Sequence, residues 1–277
     1  MLIAAALVPG TVLLVPGAGG REDEATDVIR DAATAAVAAM FRQGVDRVVV
    51  IAPARLDRHL VTGWQTGLGD VGIGDGQVRW PLPARPAAGS TARPAPVVVS
   101  AVGSAVLALA THAMPEAWAG ELEVLEVREP DRRRRSGPPT PVVSGARTGA
   151  SRAEGLRERG RALLRSDPHD ALGLIVAGSL SARNGEDAPL AADDRAPGLD
   201  RAIAADLLDG GVEARWRLGE LDAQLAADLG MSGWAPWQVL VGACGAFGAV
   251  EVERARADRC LGVVHVSASW RCAAVAA

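Results

Sequence analysis

Hydrophobic residues at the start of the chain form a buried run, an amphipathic segment and then a second buried run. Residues 2–8 are uninterrupted apolar positions and predict a buried strand, followed by a turn at Pro9 and Gly10 and a short apolar piece at 12–15. Apolar side chains then recur at intervals of three and four over residues 22–44, which is the period of a helix with one buried face. The β-branched run in DRVVVIAP predicts another buried strand. This strand–helix–strand order is typical of an α/β sheet.

Further elements of both types follow along the chain. Strands are predicted in QVRWPLP, ELEVLEVRE, ALGLIVAGSLSARNGEDAP and LGVVHVSASW. Helices are predicted in the later part of PVVVSAVGSAVLALATHAM, over residues 151–165, over most of 197–229 and in WAPWQVLVGACGAFGAV. An exposed Pro- and Arg-rich loop is predicted at about 130–150, with strands on both sides sharing one sheet. We therefore predict one α/β domain over residues 1–277, with a mixed or mostly parallel sheet flanked by helices.

The apolar start also raises the alternative of a secretory signal. A signal peptide carries positive charge before its apolar core, whereas the first charge of this chain is Arg21, after the run. Pro9 and Gly10 divide the run, so it is too short for a membrane-spanning helix. Every other apolar run in the chain is interrupted by a charged residue, Gly or Pro. A buried strand is the favoured interpretation, and the expected location is the cytoplasm.

Composition narrows the classes of partner. The net charge is −4 and the isoelectric point is about 5.6, so neither nucleic acid nor an anionic membrane is an expected partner. The basic side chains are all arginine. The three cysteines, Cys244, Cys260 and Cys272, form no close pair in sequence and no metal-binding motif, which fits a reducing compartment. A small-molecule ligand and a homo-oligomer are both compatible with this composition.

Three short motifs resemble ligand-binding sequences, but the residues around them favour loops or an ordinary helix start. GLGDVG at 67–72 matches the dinucleotide fingerprint, yet the following IGDGQVRWP cannot start a helix, so we predict a loop. GAGG at 17–20 precedes a helix and could cradle a phosphate, but three carboxylates follow at once and favour an acid-capped helix start. The charge run DRRRRSG at 131–137 favours a solvated loop, with an anion or acidic partner as the alternative.

Four histidines are candidate metal ligands. His59 follows a predicted strand and is the best single candidate, because metal ligands on α/β sheets come from loops at the carboxyl ends of strands. His112 lies near a helix end and His169 in a turn before a strand, while His265 lies inside a strand, where a core histidine is the commoner role. No two of them have close ligand spacing.

A polar loop after a strongly apolar strand is the best candidate for ligand binding. The segment GSLSARNGEDAP, at 178–189, places Ser179, Ser181 and Arg183 at the carboxyl edge of the predicted sheet. Open α/β sheets bind ligands at that edge. A capped surface loop is the alternative. Ser181 is not the nucleophile of a G-x-S-x-G turn, since the flanking glycines are absent.

Several segments, taken in order, carry a further pattern. These are AAALVPGTVLLVPGAGG, DRVVVIAP, GLGDVGIGDGQVRWPL, LGLIVAGSLSARNGEDAPLAADDRAPGLDRAI, WAPWQVLVGA and LGVVHVSASW. Their order resembles that of proteins related to the catalytic B subunit of class III extradiol ring-cleavage dioxygenases, a superfamily that includes the Memo-like proteins. The resemblance covers most of the chain and implies a single α/β domain. In active relatives, two His and a Glu hold a ferrous iron that opens a catechol-type ring.

The chain departs from that pattern at three positions. The opening of the family reads Pro-His-Pro-Pro-Leu-Leu-Val-Pro, and Gly10 stands where its histidine falls. Gly178 to Ser181 replaces Gly-Asp-Gly-Ser, so Ser179 takes the place of the aspartate, and His265 takes the place of a closing tyrosine. A site near Gly10, His59 and Ser179–Arg183 is expected, with Fe(II) as cofactor if the chain is active.

The resemblance leaves two expectations open. One is a divergent dioxygenase with a degraded metal site, in which His59 is the surviving ligand. The other is a non-catalytic relative, a scaffold or a small-molecule-binding protein without a cofactor, in which backbone amides, Ser181 and Arg183 contact the ligand.

Overall fold

Strands from both halves of the chain form one seven-stranded sheet in the computed structural model, which describes residues 1–20, 23–87, 95–130, 145–165, 170–245 and 249–272. The strands are β1 (Leu2–Val8), β2 (Arg47–Ala54), β3 (Arg58–Leu60), β4 (Trp64–Gln65), β5 (Ala84–Arg85), β6 (Val97–Val98), β7 (Glu121–Arg128), β8 (Leu172–Ala177), β9 (Val250–Cys260) and β10 (Val263–Cys272). The helices are α1 (Glu24–Phe41), α2 (Ala101–Ala113), α3 (Gly145–Arg165), α4 (Ala196–Asp209), α5 (Val212–Gly219), α6 (Ala223–Leu229) and α7 (Trp234–Cys244). The α/β prediction is confirmed.

The order of the main sheet is β3-β7-β2-β8-β1-β10-β9, and β5-β4-β6 form a second, small sheet. Strands β7, β2, β8 and β1 run parallel, while β3 and β10 flank them in the antiparallel direction. The sheet is therefore mixed, with a parallel centre. Because Val8 on β1 pairs with Ala177 on β8, the two chain segments that follow these strands leave the sheet side by side.

The central strands are apolar because both of their faces are covered by helices. Ala4, Ala6 and Val8 of β1 pack in the cluster that contains buried residues of α1 and α2. Leu2, Ala5 and Leu7 pack in the opposite cluster, with α3, α4 and α7. Burial of each Leu or Val side chain stabilises the fold by roughly 1.5–3 kcal/mol, so the first strand anchors both layers.

Helix α1 follows its predicted pattern closely. The Asp23 side chain accepts a hydrogen bond from the Ala25 amide, which satisfies one free donor of the first turn. Gly44 takes a positive φ of 78° just after the helix, a conformation that glycine adopts without strain. The buried face of α1 includes Ile29, Ala33 and Val37, which are four residues apart.

Several predicted boundaries differ from the structure. QVRWPLP forms no strand, since only Ala84–Arg85 beyond it is extended and paired. The segment 197–229, predicted to be mostly helical, forms three helices, because Gly210 and Gly211 separate α4 from α5 and a turn separates α5 from α6. Helix α3 begins at Gly145 rather than residue 151, and the rest of the predicted loop, 131–144, lies outside the described residues.

Strand β9 and the hairpin that it forms with β10 were not predicted. The segment EVERARADRC carries charges at most positions and is largely exposed, so it lacks the apolar alternation of a half-buried strand. An edge strand tolerates such charges because only one of its sides pairs with the sheet. No described helix has both the length and the apolar character needed to cross a membrane.

Candidate functional site

Gly10, Ser179 and His265, three residues discussed in the sequence analysis, meet at one point of the sheet. The Gly10 amide donates a hydrogen bond to the Ser179 hydroxyl, over 3.0 Å from N to Oγ. The Ser179 Oγ also lies 3.0 Å from the His265 Nδ1. Gly10 follows β1, Ser179 follows β8 and His265 lies in β10, so three neighbouring strands supply one group each. The predicted proximity of Gly10 and Ser179 is therefore found, with His265 as the third member.

Burial sets the charge state of the imidazole. It lowers the pKa of His265 to about 4, and the nearby Asp258 carboxylate opposes this only in part. His265 is therefore neutral at pH 7 and carries one ring proton. The Ser179 oxygen, which accepts the Gly10 N–H, can donate its own proton to Nδ1 or accept a proton from it, according to the tautomer.

Glycines allow the segments of the site to approach each other closely. A Cβ atom on Gly10 would lie 2.8 Å from the Ser232 Oγ and 3.1 Å from the Gly178 Cα. A Cβ atom on Gly178 would lie 2.5 Å from the Gly233 Cα and 2.9 Å from Nε1 of Trp237. The space that a side chain at position 10 would need is thus already filled by Ser232 and backbone.

Ser232, just before α7, completes the cluster. Its hydroxyl accepts a hydrogen bond from the Ser179 amide at 3.1 Å, and the Gly233 amide donates to the Ser179 carbonyl oxygen at 3.2 Å. These contacts hold the start of α7 against the end of β8. Ser232 was not among the predicted site residues, since a serine in a short MSG loop carries no pattern of its own.

The other predicted ligand contacts, Ser181 and Arg183, use their polar atoms within the protein. The fully buried Ser181 hydroxyl donates to the Leu229 carbonyl oxygen at 3.1 Å and accepts from the Arg183 amide at 3.0 Å. The Arg183 guanidinium donates to the carbonyl oxygens of Asp228 and Ala191. Both side chains shape the loop, and a role for them in ligand contact stays a prediction.

A buried carboxylate ties the same loop to α4. Asp200 accepts hydrogen bonds from the Ser181 amide at 3.0 Å and the Asn184 side chain at 2.6 Å. Burial raises the pKa of Asp200, although these bonds and the charge of Arg259 act in the opposite direction. The Arg259 guanidinium from β9 donates to both the backbone and the side-chain oxygen of Asn184. The loop is therefore fixed from two sides.

His59 lies far from this cluster. It belongs to β3, which is four strands away from β1, or about 19 Å at about 4.8 Å per strand. Its Nε2 lies 2.7 Å from a carboxylate oxygen of the buried Glu123, which also contacts Arg47. Burial alone would raise the pKa of Glu123, but the His59 hydrogen bond and the Arg47 charge lower it overall. The structure thus does not bring His59 and Gly10 together.

The other two histidines, His112 and His169, are not seen in the Gly10–Ser179–His265 cluster or in the His59–Glu123 pair. The His112 ring, at the end of α2, stacks on Trp80 with ring centres 4.1 Å apart. His169 lies outside the described residues. Among the residues that the structure describes, no three His, Cys, Asp or Glu side chains converge in a group able to hold a metal ion.

The two glycine-rich motifs form connections, in line with the sequence interpretation. A 3-10 turn at Gly69–Val71, rather than an α-helix, follows the start of GLGDVG. Gly17 and Gly20 in GAGG both have positive φ, and Asp23 caps the helix that follows. A carboxylate therefore already occupies the helix start at which a phosphate would bind.

Comparisons with known proteins identify no family for this chain. No protein-family model matches the chain, and no curated protein matches it. Among solved structures, the chain is similar to the crystal structure of the uncharacterized protein JW3007 from Escherichia coli K12. The two chains are 11% identical with a TM-score of 0.49, and the match covers 97% of this chain and 99% of the other.

Proposed function

We propose that this chain is a divergent relative of the class III extradiol dioxygenases that binds a small organic molecule without holding the iron of that family. One observation carries the proposal, namely the hydrogen-bond chain from Gly10 through Ser179 to His265. It joins the positions where the family pattern has a histidine, an aspartate and a tyrosine. Coordinated changes at three touching positions are expected when a site has been rebuilt for another ligand.

The donor set at this point does not fit ferrous iron. A facial site needs two imidazoles and a carboxylate around one point. Here glycine stands where one imidazole would be, and Nδ1 of His265 is already hydrogen-bonded to the Ser179 hydroxyl. His59, the expected surviving ligand, is held by Glu123 on the far side of the sheet. We therefore derive no step of ring cleavage for this chain.

The chemistry of the cluster favours a compact ligand with an oxygen acceptor. Neutral His265 can donate or accept a hydrogen bond at Nε2, which has no hydrogen-bond partner among the described residues. The indole of Trp237 lies against Gly178, the residue before Ser179. Phenols and catechols combine an apolar ring with oxygen atoms and match these groups. The proposed location is the cytoplasm, supported by three cysteines that are all free.

Metal binding is the first test. The protein, purified without oxygen, is analysed for metal and titrated by calorimetry with Fe(II) and with Zn(II). We expect no stoichiometric binding at micromolar concentrations. Binding of one ion per chain that is lost in His265→Asn would contradict the proposal, whereas binding that is lost in His112→Asn would locate an unrelated surface site.

Ligand binding without turnover is the second test. Catechol and protocatechuate are titrated while the intrinsic fluorescence of the seven tryptophans, which include Trp237 beside the site, is followed. We expect binding that weakens at least about tenfold in His265→Asn, since loss of a good hydrogen bond changes affinity by about that factor. His112→Asn is the matched control and should bind normally. Absence of binding by both compounds, or appearance of ring-cleavage absorbance after addition of Fe(II), would overturn the proposal.

A further inference from the structure

Strand β9 forms one edge of the main sheet, and its outer side is open. It stands last in the order β3-β7-β2-β8-β1-β10-β9 and pairs only with β10 among the described strands. It is 11 residues long, and residues 254–257 near its centre are exposed. A long open edge presents unpaired backbone N–H and C=O groups, which pair readily with a strand of another chain. A strand that fits this edge must also match its charges.

The charges along β9 are complementary to those of the same strand in reverse. The segment VEVERARA, residues 250–257, carries two glutamates in its first half and two arginines in its second. Two copies placed antiparallel about the middle of this segment bring Glu251 opposite Arg256 of the second copy. Glu253 then lies opposite Arg254 of the second copy, and the two valines lie opposite the two alanines. Opposite charges directly across two strands stabilise the pairing, whereas like charges destabilise it.

A bulge in β9 places the complementary charges on one face. Arg254 has a positive φ of 51°, and the register with β10 shifts there, so β9 holds one extra residue. Glu251 pairs with Arg271 of β10. Arg256 pairs with Ser267, four positions away on β10, so Glu251 and Arg256 lie on the same face of the sheet. Without the extra residue they would point to opposite faces and could not meet across two strands.

The same charges exclude the neighbouring registers. A shift by two residues in one direction places Glu251 opposite Asp258 of the second copy, so like charges meet. A shift in the other direction leaves Arg256 opposite Ala249, without a charge partner. Charged side chains on an edge prevent pairing with unrelated strands. Here they leave the strand's own reverse as the match, which is specificity through repulsion of the alternatives.

The charged side chains are accessible, although they have neighbours within the chain. Glu251 contacts Arg271, and Arg256 contacts Asp258. The side chains of Glu251 and Arg256 are 62% and 58% exposed. Ion pairs at such exposed positions are screened by solvent and contribute little to stability. Each of these groups also has further oxygen or N–H atoms for a second partner.

We propose that two copies of this chain form a dimer by antiparallel pairing of β9, with Glu251 of each copy opposite Arg256 of the other. The two main sheets then become one continuous sheet across a twofold axis, at which each contact occurs twice. Residues 250–257 span about 27 Å at about 3.4 Å per residue. The dimer is independent of the ligand proposed above, because it rests on the outer edge of β9.

The mass of the unsubstituted protein is the first measurement. Sedimentation velocity is run on the whole chain from about 1 to about 100 µM. We expect the mass to rise from the chain mass of 28.5 kDa to twice that value. Amide hydrogen exchange is then compared between a concentration at which the monomer dominates and one at which the dimer dominates, and residues 250–257 should exchange more slowly in the dimer. A chain that stays monomeric throughout, or a dimer without this protection, would overturn the proposal even if the substituted chains described next fail to fold.

Charge reversal is the second measurement. Glu251→Arg and Arg256→Glu each create two like-charge contacts and should weaken dimerisation at least about tenfold. A mixture of the two variants should form a dimer with one chain of each, since every reversed charge then meets its opposite. The chain that carries both substitutions should form a homodimer again for the same reason. If the folded variants show neither rescue, β9 does not pair in this register and the proposal fails.

Two controls separate this edge from the rest of the surface. Glu116→Arg makes the same charge change on an exposed turn after α2 and should dimerise like the unsubstituted protein. Trp216→Ala removes an indole that is 62% exposed on α5 and should also dimerise normally. A dimer that is lost in Trp216→Ala and kept in Glu251→Arg would use another face, and the proposal would be wrong.

Discussion

His59 and His265 lie toward opposite edges of the same sheet, and their surroundings differ. His265 is buried, and its nearest polar partner is the hydroxyl of Ser179. The side chain of His59 is 37% exposed, and its partner is the carboxylate of Glu123. A carboxylate favours the charged imidazole, whereas burial beside a hydroxyl favours the neutral one. The two sites therefore need different explanations, although the sequence presents both as histidines in or near strands.

The region around His59 holds a short edge strand in place. His59 and the preceding residue, Arg58, point to opposite faces of β3 and pair with two different carboxylates of β7, Glu123 and Glu126. The fully buried Glu126 also accepts a hydrogen bond from the Ser100 amide at 2.6 Å. These pairs fix a strand of only three residues, so the polar groups near His59 are explained by structure.

The sharpest way to separate the two histidines is acid stability. His265 has a pKa of about 4 in the folded protein and an ordinary value of 6.5 when unfolded. Its neutral form therefore supports the fold fully above pH 6.5, and that support is lost as pH falls toward 4. The loss amounts to about 3 kcal/mol. Replacement by Asn, which keeps an acceptor near Nδ1, should remove this part of the pH dependence.

The measurement is urea unfolding of the native protein and His265→Asn at several pH values between 7 and 4. The difference between their free energies of unfolding should shift by about 3 kcal/mol in favour of the variant as pH falls. His59→Asn is the matched control, and its curve should not show a shift of that size. Parallel curves for native protein and His265→Asn would mean that His265 titrates normally.

A second experiment asks whether the carboxyl edge is as closely packed as its glycines indicate. Gly10→Ala should lower the free energy of unfolding by about 2 kcal/mol, because the new methyl group would overlap Ser232 and the Gly178 backbone. Gly69→Ala is the matched control, since nothing lies within 4 Å of its Cβ position.

A double substitution at Gly10 and Ser232 tests directly whether the two positions compete for the same space. Ser232→Ala alone should cost about 1 kcal/mol, because the Ser179 amide loses its acceptor. Combined with Gly10→Ala it should cost less than the sum of the two, since the hydroxyl that crowds position 10 is gone. Strict additivity would show that Gly10 and Ser232 do not compete for the same space.

The sequence predicted the layers of this fold better than its edges. Residues 2–8 and DRVVVIAP were identified as strands because a strand covered on both faces needs continuous apolar side chains. EVERARADRC was missed because an edge strand gains its stability from backbone pairing, which leaves no mark on the side-chain pattern. QVRWPLP was predicted as a strand on its apolar residues, yet its two prolines lack the N–H that pairing requires.

Part of the candidate site was predictable for a topological reason. Gly10 and Ser179 follow parallel strands, so their proximity needed only the strand assignments and a guess at strand order. His265 lies in an antiparallel strand that enters the same edge, and no spacing in the sequence relates it to Ser179, 86 positions away. His59 does not join Gly10 and Ser179, because β3 pairs with β7, four strands away from β1.

The smallest expected effect concerns the His59–Glu123 pair, and it completes the contrast. Glu123→Gln removes the carboxylate charge, and His59→Gln removes the imidazole. Because His59 is partly exposed, solvent screens the interaction, so the coupling energy in a double-mutant cycle should be below about 1 kcal/mol. A coupling energy well above that value would show that solvent does not screen the pair, and the contrast between the exposed His59 and the buried His265 would fail.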